Sequence, residues 1–432
     1  MGRIAVIGTG YVGLTTGACF ARLGHEVICA DIDVDKVNRL NRGEVPIFEP
    51  GLDQVVQEGR AAGRLSFVIG AAQAAAQCEF IYLCVPTPQS ADGTADLSYI
   101  EAAAREIGPV LHANAIVVNK STVPVGSTKV VERALARPDV AVVSNPEFLR
   151  EGSAVDDFLR PDRVVIGADD QSAAVRVASL YADVPAPLMV TDPASAETIK
   201  YACNAFLATK LSFVNAVAAV SEAVGADIND VILGMGYDKR IGHEFLRPGP
   251  GWGGSCFPKD TVALIAIAEH HGYDFHLLRG VLAVNEEQFG RVSNKVCKAI
   301  AGSAGDVAGK TVAVWGLTFK ARTDDLRESP ALKVIGRLLL AGLKVRAYDP
   351  AISPASAGSE ALAGIEVCED AYDACTGADA LVVLTEWDEF KWLDFERVRE
   401  LMVSPRVVDG RNHLDRAELI RRGFTYEGIG RS

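Results

Sequence analysis

Short apolar runs alternate with segments of helical period in the N-terminal part of the chain. The run RIAVI precedes a glycine-rich turn, a helical pattern and a second apolar run that ends at Asp31. The stretches AAQCEFIYLCVPTPQS, NAIVVNKSTVPVGST and RVVIGAD repeat this plan. Because strands that alternate with helices form parallel sheets, the pattern predicts a doubly wound α/β domain over residues 1–193.

A different pattern begins near Ala194. The stretch SAETIKYACNAFLATKLSFVNAVAAVSEAVGA has helical period and contains no proline, and its first glycine is Gly225. A helix of this length that is apolar on several faces is buried between domains or between subunits. Further helical patterns continue to about residue 300, so residues 194–300 are predicted to form a central helical and dimerisation domain.

The strand and helix plan returns in the last third of the chain. Residues 309–350 (GKTVAVWGLTFKARTDDLRESPALKVIGRLLLAGLKVRAYDP) read as strand, turn, helix and a strand followed by aspartate. The runs DALVVLTEW and RVVDGRN supply further strands. The predicted fold class is therefore α/β: two doubly wound Rossmann-like domains, the second over residues 301–432, joined by a long central helix and a helical dimerisation region.

Composition narrows the range of partners. The net charge of −13 over 432 residues argues against nucleic acid or an anionic membrane as the main partner. The nine cysteines are odd in number and scattered without a CxxC pair, which is typical of a reduced, cytoplasmic protein with no structural metal and no disulfide framework. The N-terminal apolar run is too short for a signal peptide or a membrane span.

The first turn, GTGYVG, has the spacing of a dinucleotide-binding loop. Gly8, Gly10 and Gly13 follow a predicted strand and open a helix, and Asp31 ends the next strand. In that context glycines let backbone amides approach a diphosphate, and the carboxylate binds ribose hydroxyls. Asp31 would repel a 2′-phosphate, so NAD is favoured over NADP, although Lys36 lies nearby. A turn that serves helix packing alone is the alternative.

The corresponding turn of the last domain, GLTFKARTDDLRES, has one glycine and the basic residues Lys320 and Arg327. It cannot cradle a diphosphate with backbone amides, but side-chain charges can hold phosphates. We therefore expect a cofactor on one domain and a phosphorylated substrate on the other, or else a solvated basic surface.

The stretch PGPGWGGSCFPKD surrounds Cys256 with glycine and proline just before a helical run. A helix N-terminus and the nearby Lys259 both favour a thiolate, so Cys256 is a candidate nucleophile, whereas the other cysteines suit a buried structural role. Lys200 and Asn204, four residues apart on the long helix, could polarise an alcohol or stabilise an oxyanion. The alternative is that Lys200 marks the solvated edge of that helix.

Seven motifs occur in order between Ile4 and about Asn412: GTGYVG, VPTP, STVPVGST, NPEFLREG, the KxxxN helix, GWGGSCFPKD and FKARTDDLRESP. Together they resemble the UDP-glucose/GDP-mannose dehydrogenase family. The resemblance implies that two NAD molecules oxidise the C6 alcohol of a nucleotide sugar, UDP-glucose in the first instance, to the uronic acid. It further implies a thiohemiacetal and then a thioester on the cysteine, followed by hydrolysis.

The resemblance also implies roles for individual residues. Cys256 is the nucleophile, Lys200 and Asn204 stabilise oxyanions, and Asp260 and Thr122 position the water or a proton. Glu147 resembles the acid/base residue of hydrolysis, and Glu151 lies near both ligands. The implied cofactor-binding residues are Gly8, Gly10, Tyr11, Val12, Gly13, Asp31, Lys36, Thr87, Thr122, Glu151, Lys259 and Arg327. The implied substrate-binding residues are Glu147, Phe148, Leu149, Glu151, Lys200, Asn204, Phe245, Leu246, Arg247, Gly249, Gly253, Phe319, Lys320, Arg411 and, from a dimer partner, Arg240.

Other activities remain open at this stage. The same chemistry could act on dTDP-glucose or GDP-mannose, although the GDP-mannose subgroup has leucine where this chain has Phe257. A 3-hydroxyacid-type dehydrogenase shares the dinucleotide loop, the long helix and the KxxxN pair but has no nucleophilic cysteine. A non-catalytic protein that senses NAD is a third possibility.

Overall fold

A computed structural model describes residues 1–90, 95–302 and 306–431. Two sheets of mainly parallel strands organise the chain. Contacts divide the chain into two units. The first comprises Met1–Cys203 and Val262–Tyr273, and the second comprises Asn204–Thr261 and the chain from Asp274 onward. Each unit contains one of the sheets.

The first sheet has eight strands: β1 (Arg3–Ile7), β2 (Glu26–Asp31), β3 (Leu65–Ile69), β4 (Phe80–Leu83), β5 (Ile116–Asn119), β6 (Ala141–Ser144), β7 (Val164–Ala168) and β8 (Leu188–Thr191). Their order is β3-β2-β1-β4-β5-β6-β7-β8, and every pairing except that of β6 with β7 is parallel. The strand order reverses between β1 and β4, and ligands of such sheets bind outside the carboxyl ends of the strands at that point.

The second sheet has six strands: β9 (Thr311–Trp315), β10 (Lys344–Tyr348), β11 (Ile365–Val367), β12 (Ala380–Val383), β13 (Arg406–Asp409) and β14 (Thr425–Gly428). All are parallel, in the order β11-β10-β9-β12-β13-β14, so the reversal lies between β9 and β12. The predicted fold class, with two doubly wound sheets, is confirmed.

The helices are α1 (Tyr11–Arg22), α2 (Val34–Arg42), α3 (Leu52–Ala61), α4 (Ala71–Ala75), α5 (Ser98–Ile107), α6 (Ser127–Leu135), α7 (Ala154–Leu159), α8 (Gln171–Ser179), α9 (Pro193–Val224), α10 (Ile228–Gly236), α11 (Phe257–His270), α12 (His276–Ala301), α13 (Pro330–Leu340), α14 (Ala371–Cys375), α15 (Phe395–Leu401) and α16 (Arg416–Arg421). Short 3₁₀ turns occupy Gly108–Val110, Pro354–Gly358, Glu360–Leu362 and Asp388–Trp392.

The predicted long helix is present as α9, which has 32 residues. By length and composition alone it could cross a membrane, and the central helix of a soluble protein passes the same test. Its residues 193–203 belong to the first unit and the rest to the second.

An aspartate ties the second strand of each sheet to the turn after the first strand. At the end of β2, the Asp31 carboxylate accepts a hydrogen bond from the Thr9 amide at 2.9 Å. Directly after β10, Asp349 Oδ2 accepts hydrogen bonds from the amides of Leu317 at 2.7 Å and Thr318 at 3.0 Å. Only 1% of Asp349 is exposed, so this carboxylate has a structural role in the second unit.

Replacing Asp349 should therefore destabilise the protein without a direct effect on ligand contacts. In Asp349→Ala two buried amides lose their acceptor, and we expect the free energy of unfolding to fall by about 2–3 kcal/mol. Urea unfolding followed by fluorescence measures the change. Asp324→Ala, at an exposed aspartate of the neighbouring loop, is the control; equal stability of the two variants would contradict this role.

Candidate active site

The dinucleotide-type loop joins β1 to α1 in the first unit. Gly8 has a φ of +96°, and a Cβ there would lie 2.6 Å from the Cys84 carbonyl oxygen. A Cβ on Gly13 would lie 1.9 Å from the Gly8 carbonyl oxygen, whereas a Cβ on Gly10 would meet nothing within 4 Å. The first and third glycines thus allow the tight turn and close packing, and the second leaves open space at the helix N-terminus, where a diphosphate could bind.

Asp31 stands at the carboxyl end of β2, beside this loop. Its carboxylate also accepts hydrogen bonds from the Thr9 hydroxyl at 2.6 Å and from Lys36 Nζ at 3.3 Å. Burial alone would raise the pKa of Asp31, but the hydrogen bonds from Thr9 and the charge of Lys36 lower it overall. The carboxylate is therefore ionised at neutral pH, and the charge of Lys36 is paired with it.

Two threonines from different strand ends are joined in the same unit. Thr87 follows β4, Thr122 follows β5, and the Thr87 hydroxyl donates to the Thr122 carbonyl at 2.9 Å. Thr122 is buried. Both lie beyond the carboxyl ends of central strands, which is the edge where the bound ligands of such sheets lie.

Glu147 and Lys200 form a buried ion pair in the first unit. Lys200 Nζ on α9 donates to Glu147 Oε1 at 2.8 Å, and each side chain is about 5% exposed or less. Burial would raise the pKa of Glu147, but the Lys200 charge and its hydrogen bond lower it below the ordinary value. Glu147 is therefore ionised at neutral pH. The interpretation of Lys200 as a solvated edge is wrong.

The residues after Glu147 are held by the same pair. The Leu149 amide donates to Glu147 Oε2 at 2.5 Å. The Phe148 ring lies under two cations, with the Arg163 guanidinium 3.7 Å and Lys200 Nζ 5.5 Å from its centroid. Glu151, farther along, is half-buried.

Sequence reasoning missed a second buried lysine near this pair. Lys120 directly follows β5, and its Nζ lies 3.3 Å from Asn145 Oδ1 and 3.5 Å from the Tyr181 hydroxyl. Burial lowers the pKa of Lys120 to about 8, against the opposing charge of Glu147. The available signal was a lysine placed at the end of the apolar run IVVN.

Cys256 lies at the N-terminus of α11. Its carbonyl accepts the Asp260 amide at 2.9 Å, the first hydrogen bond of the helix, and its Sγ lies 3.5 Å from the Ser255 hydroxyl. The residue is half-buried and forms no disulfide. The positive end of a 14-residue helix favours a thiolate there.

Asp260, in the first turn of α11, connects two of the predicted residues. Asn204 Nδ2 donates to Asp260 Oδ2 at 2.6 Å, and Lys259 Nζ donates to Asp260 Oδ1 at 2.7 Å. Asn204 and Asp260 are both buried. The three side chains therefore form one hydrogen-bonded group within the second unit.

The glycines before Cys256 are required by packing within that unit. Gly251 has a φ of +123°, and a Cβ there would lie 2.4 Å from the Phe289 ring. A Cβ on Gly253 would lie 1.8 Å from the Glu328 carbonyl oxygen. Side chains larger than glycine would displace the segment from its neighbours.

Two of the predicted substrate-binding residues of the second unit, Gly249 and Phe319, lie beside Arg411. A Cβ on Gly249 would lie 3.2 Å from the Arg411 guanidinium, which also donates to the Phe319 carbonyl at 3.1 Å. The Asn215 side chain accepts from the Gly249 amide at 2.9 Å, and Gln288 donates to the Gly249 carbonyl at 2.7 Å. Segments that are far apart in sequence thus meet at one place.

Comparison with known proteins agrees with this arrangement. Descriptions of the UDP-glucose/GDP-mannose dehydrogenase family match three parts of the chain: its NAD binding domain at residues 2–185, its central domain at 194–287 and its UDP binding domain at 313–416. A UDP-glucose 6-dehydrogenase of Rhizobium meliloti (strain 1021) is 46% identical over 439 residues, 99% of each chain. One of Pseudomonas aeruginosa is 46% identical over 444 residues, 99% of this chain and 97% of that protein.

A solved structure supports the same relationship. The UDP-glucose dehydrogenase from the hyperthermophilic archaeon Pyrobaculum islandicum has a TM-score of 0.91 and 39% identity, and the match covers 100% of this chain and 98% of that one. The chain belongs to the UDP-glucose/GDP-mannose dehydrogenase family. It is an NAD-dependent oxidoreductase, and the glycine loop of its first unit (the NAD loop) lies within residues 2–185, which match the NAD binding domain of this family.

Some residues implied by the family resemblance lie at the surface and have other partners. Arg240 pairs with Asp238 at 2.5 Å, and Arg327 pairs with Asp325 at 2.7 Å. Arg247 is exposed, whereas its neighbour Leu246 is buried. The predicted ligand contacts of these arginines therefore stay predictions.

Three further features complete the description of the predicted residues. Phe245 has a φ of +60°, and its ring lies 6.3 Å from that of Phe257. Lys320 Nζ lies 5.4 Å from the centroid of Phe319. Within the described ranges, no group of three or more His, Cys, Asp or Glu residues could hold a metal ion.

Asp31 should decide between the two nicotinamide cofactors. A carboxylate in this position can accept ribose hydroxyls and would repel a 2′-phosphate, so kcat/KM should be much higher with NAD than with NADP. Asp31→Ala removes the repulsion and should bring the ratio of kcat/KM with NAD to kcat/KM with NADP closer to one. Loss of the hydrogen bonds from Thr9 should lower kcat/KM with both cofactors. Steady-state NADH and NADPH formation measures the ratio. Asp33→Ala, at the N-cap of α2, should leave it unchanged; equal kcat/KM for both cofactors in the unmodified protein would exclude this role of Asp31.

Proposed function

We propose that this chain oxidises the C6 alcohol of UDP-glucose to the carboxylate of UDP-glucuronate with two molecules of NAD. The observation that carries the proposal is the Cys256 thiol at the N-terminus of α11, in the second unit of a chain whose first unit has the NAD loop. The names of the relatives support UDP-glucose as the sugar nucleotide. Hydride transfer from an alcohol needs no cysteine, so a thiol placed to be reactive points to the second oxidation.

The thiol makes the second oxidation possible. NAD accepts one hydride in each oxidation. After the first, the Cys256 thiolate adds to the aldehyde carbon, and the resulting thiohemiacetal has a C–H bond whose hydride can leave. That loss gives a thioester, and water then releases the acid and regenerates the thiol. Four electrons leave the sugar and two NADH are formed.

Charged and polar groups of the chain stabilise these steps in our proposal. Lys200 and Asn204 donate to the oxygen that becomes negative when the thiolate adds. Asp260 and Thr122 position the water or a proton. Glu147 accepts a proton from the attacking water, because its lowered pKa keeps it ionised at neutral pH. Glu151 remains the second candidate for that proton transfer.

The nucleotide end of the substrate is assigned to the second unit. We propose that the segment Phe245–Gly253 and the residues Phe319, Lys320 and Arg411 hold the sugar and its diphosphate. The contact of Arg411 with Gly249 and with the Phe319 carbonyl supports this assignment. The functional division predicted from the sequence is proposed again: residues 1–193 for the cofactor, 194–300 for the cysteine loop and dimerisation, and 301–432 for the nucleotide sugar.

The base is tested by a panel of substrates. UDP-, dTDP- and GDP-sugars are compared by NADH formation under identical conditions. UDP-glucose should give the highest kcat/KM. A preference for dTDP-glucose or GDP-mannose would leave the proposed reaction unchanged but would show that UDP-glucose is not the substrate. We also propose a cytoplasmic location, which the scattered cysteines without disulfides support.

Cys256→Ser should separate the two oxidations. Serine keeps the size of the side chain, but an unactivated hydroxyl is a far poorer nucleophile near pH 7, so formation of uronic acid should fall by several orders of magnitude. The first hydride transfer should survive as a slow or single-turnover event, because Lys200 and Asn204 remain. NADH and uronic acid are measured separately; the unmodified protein should form two NADH per sugar and release no aldehyde.

Two other cysteines give matched controls for this substitution. Cys203 accepts a hydrogen bond from Arg163 at 3.3 Å, and burial raises the pKa of Cys297. Both therefore suit structural roles, and Cys203→Ser and Cys297→Ser should change the acid yield only modestly. A near-normal acid yield from Cys256→Ser would exclude the thioester route.

We also propose that the chain forms a homodimer through α9. The exposed apolar side chains Phe206, Phe213 and Val220 are spaced seven residues apart, so they lie on one side of the helix. An exposed apolar stripe of this length is unfavourable in water and suits the same stripe of a second copy. Arg240 would act across that interface.

Light scattering tests the dimer at micromolar concentration. The unmodified protein should have the mass of two chains, and the double variant Phe206→Asp, Phe213→Asp should have the mass of one, since each chain would bury two carboxylates in the interface. Leu340→Asp, at an exposed leucine of α13, is the matched control and should stay dimeric. A monodisperse monomer of the unmodified protein would contradict the proposal.

A further inference from the structure

A buried carboxylate joins two loops of the first unit. Glu49, which lies just before α3 and is 6% exposed, accepts hydrogen bonds at Oε2 from the Tyr11 hydroxyl and from the Gly152 amide, the latter at 2.6 Å. Its Oε1 accepts the Ala154 amide at 2.8 Å. The Tyr11 hydroxyl oxygen also lies 3.2 Å from the Arg150 carbonyl oxygen. One carboxylate and one hydroxyl thus connect the NAD loop to the start of α7.

Tyr11 lies where the diphosphate of the cofactor is expected to bind. It is the first residue of α1, where the opening amides have no partner within the helix and are available to a diphosphate. An anion held by these amides would order the backbone of Tyr11. Burial, and then the hydrogen bond to Glu49, raise the pKa of Tyr11 well above its ordinary value, so the hydroxyl remains a donor to Glu49.

The other end of the connection is residues 147–152, here called the sugar segment because it contains the substrate-binding residues Glu147, Phe148, Leu149 and Glu151 implied by the family resemblance. At its beginning, Glu147 is held by Lys200 and by the Leu149 amide. At its end, the Gly152 amide is held by Glu49. The Tyr11–Glu49 contact therefore fixes the end of the segment that the Lys200 pair does not reach.

We propose that Tyr11 and Glu49 are positioning residues through which bound cofactor tightens the binding of the nucleotide sugar. This inference rests on the function proposed above. Bound cofactor orders Tyr11, Tyr11 orders Glu49, and Glu49 orders the end of the sugar segment, so the second ligand has less of the protein to order. By linkage, the sugar nucleotide tightens cofactor binding by the same factor.

The test compares affinities rather than rates. UDP-glucose is titrated calorimetrically into the full-length protein, with and without saturating NADH, which is already reduced and permits no turnover. In the unmodified protein NADH should tighten UDP-glucose binding by about fivefold or more. Tyr11→Phe removes only the hydroxyl, and in this variant NADH should change the affinity for UDP-glucose by less than about twofold. Titration of NADH with and without UDP-glucose should return the same two factors.

Tyr99→Phe, at an exposed tyrosine of α5 in the same unit, is the matched control and should keep the coupling factor. A merely structural role would change both affinities and leave their ratio intact. A factor of one in the unmodified protein, or an undiminished factor in Tyr11→Phe, would overturn the proposal.

Hydrogen exchange gives a second measurement that does not need the sugar. NADH alone should slow exchange of the Gly152 and Ala154 amides in the unmodified protein and should not do so in Tyr11→Phe or Glu49→Gln; equal slowing in all three would overturn the connection. If UDP-glucose neither binds nor yields NADH with NAD, the proposed function fails by itself. The exchange of these amides with NADH still decides whether the cofactor acts through Tyr11 and Glu49.

Discussion

The buried pair of Lys200 and Glu147 imposes the constraint on which much of the first unit depends. An ammonium and a carboxylate removed from water are each unfavourable alone, and loss of one partner typically costs about 3–5 kcal/mol. Their 2.8 Å contact therefore sets the register of α9 against the end of β6. One turn earlier on α9, buried Glu197 accepts the amides of Gly126 at 2.6 Å and Thr128 at 3.0 Å, which fixes the same helix to the start of α6.

Both sheets contain the same contact between an aspartate and a turn, but the contact serves a different role in each. In both units an aspartate at the end of the second strand holds the turn that follows the first strand. In the first unit that turn leaves open space at Gly10, and Asp31 keeps some exposure, so loop and carboxylate can meet a dinucleotide. In the second, the turn continues into Phe319, and Asp349 also accepts the Trp387 indole N–H at 3.2 Å. The second carboxylate has therefore become part of the core.

Local patterns predicted the parts of the site that depend on neighbours in sequence. The GxGxxG turn, Asp31 at a strand end, the long α9 and Cys256 at a helix start each follow from spacing of a few residues. The position of Lys120 after an apolar strand was a usable local signal, but its contact with Asn145 and that of Glu49 with Gly152 could not be predicted in this way, because those partners are distant in sequence. The partners of side chains could not be predicted either. The sequence shows that Lys259 precedes Asp260, but not that Asp260 also accepts a hydrogen bond from Asn204.

The glycines before Cys256 show how the fold prepares a reactive group. A loop that is open for flexibility would leave space around them, yet Gly253 and Gly254 would each bring a Cβ within 3 Å of another part of the second unit. The segment is therefore packed, and the residue that follows it begins α11 in a defined place. Asp260 is likewise held by Asn204 and Lys259. Since groups that are already ordered need not be ordered by the ligand, binding energy remains available for the reacting atoms. The glycines serve the chemistry because their close packing fixes the position of the Cys256 thiol before any ligand binds.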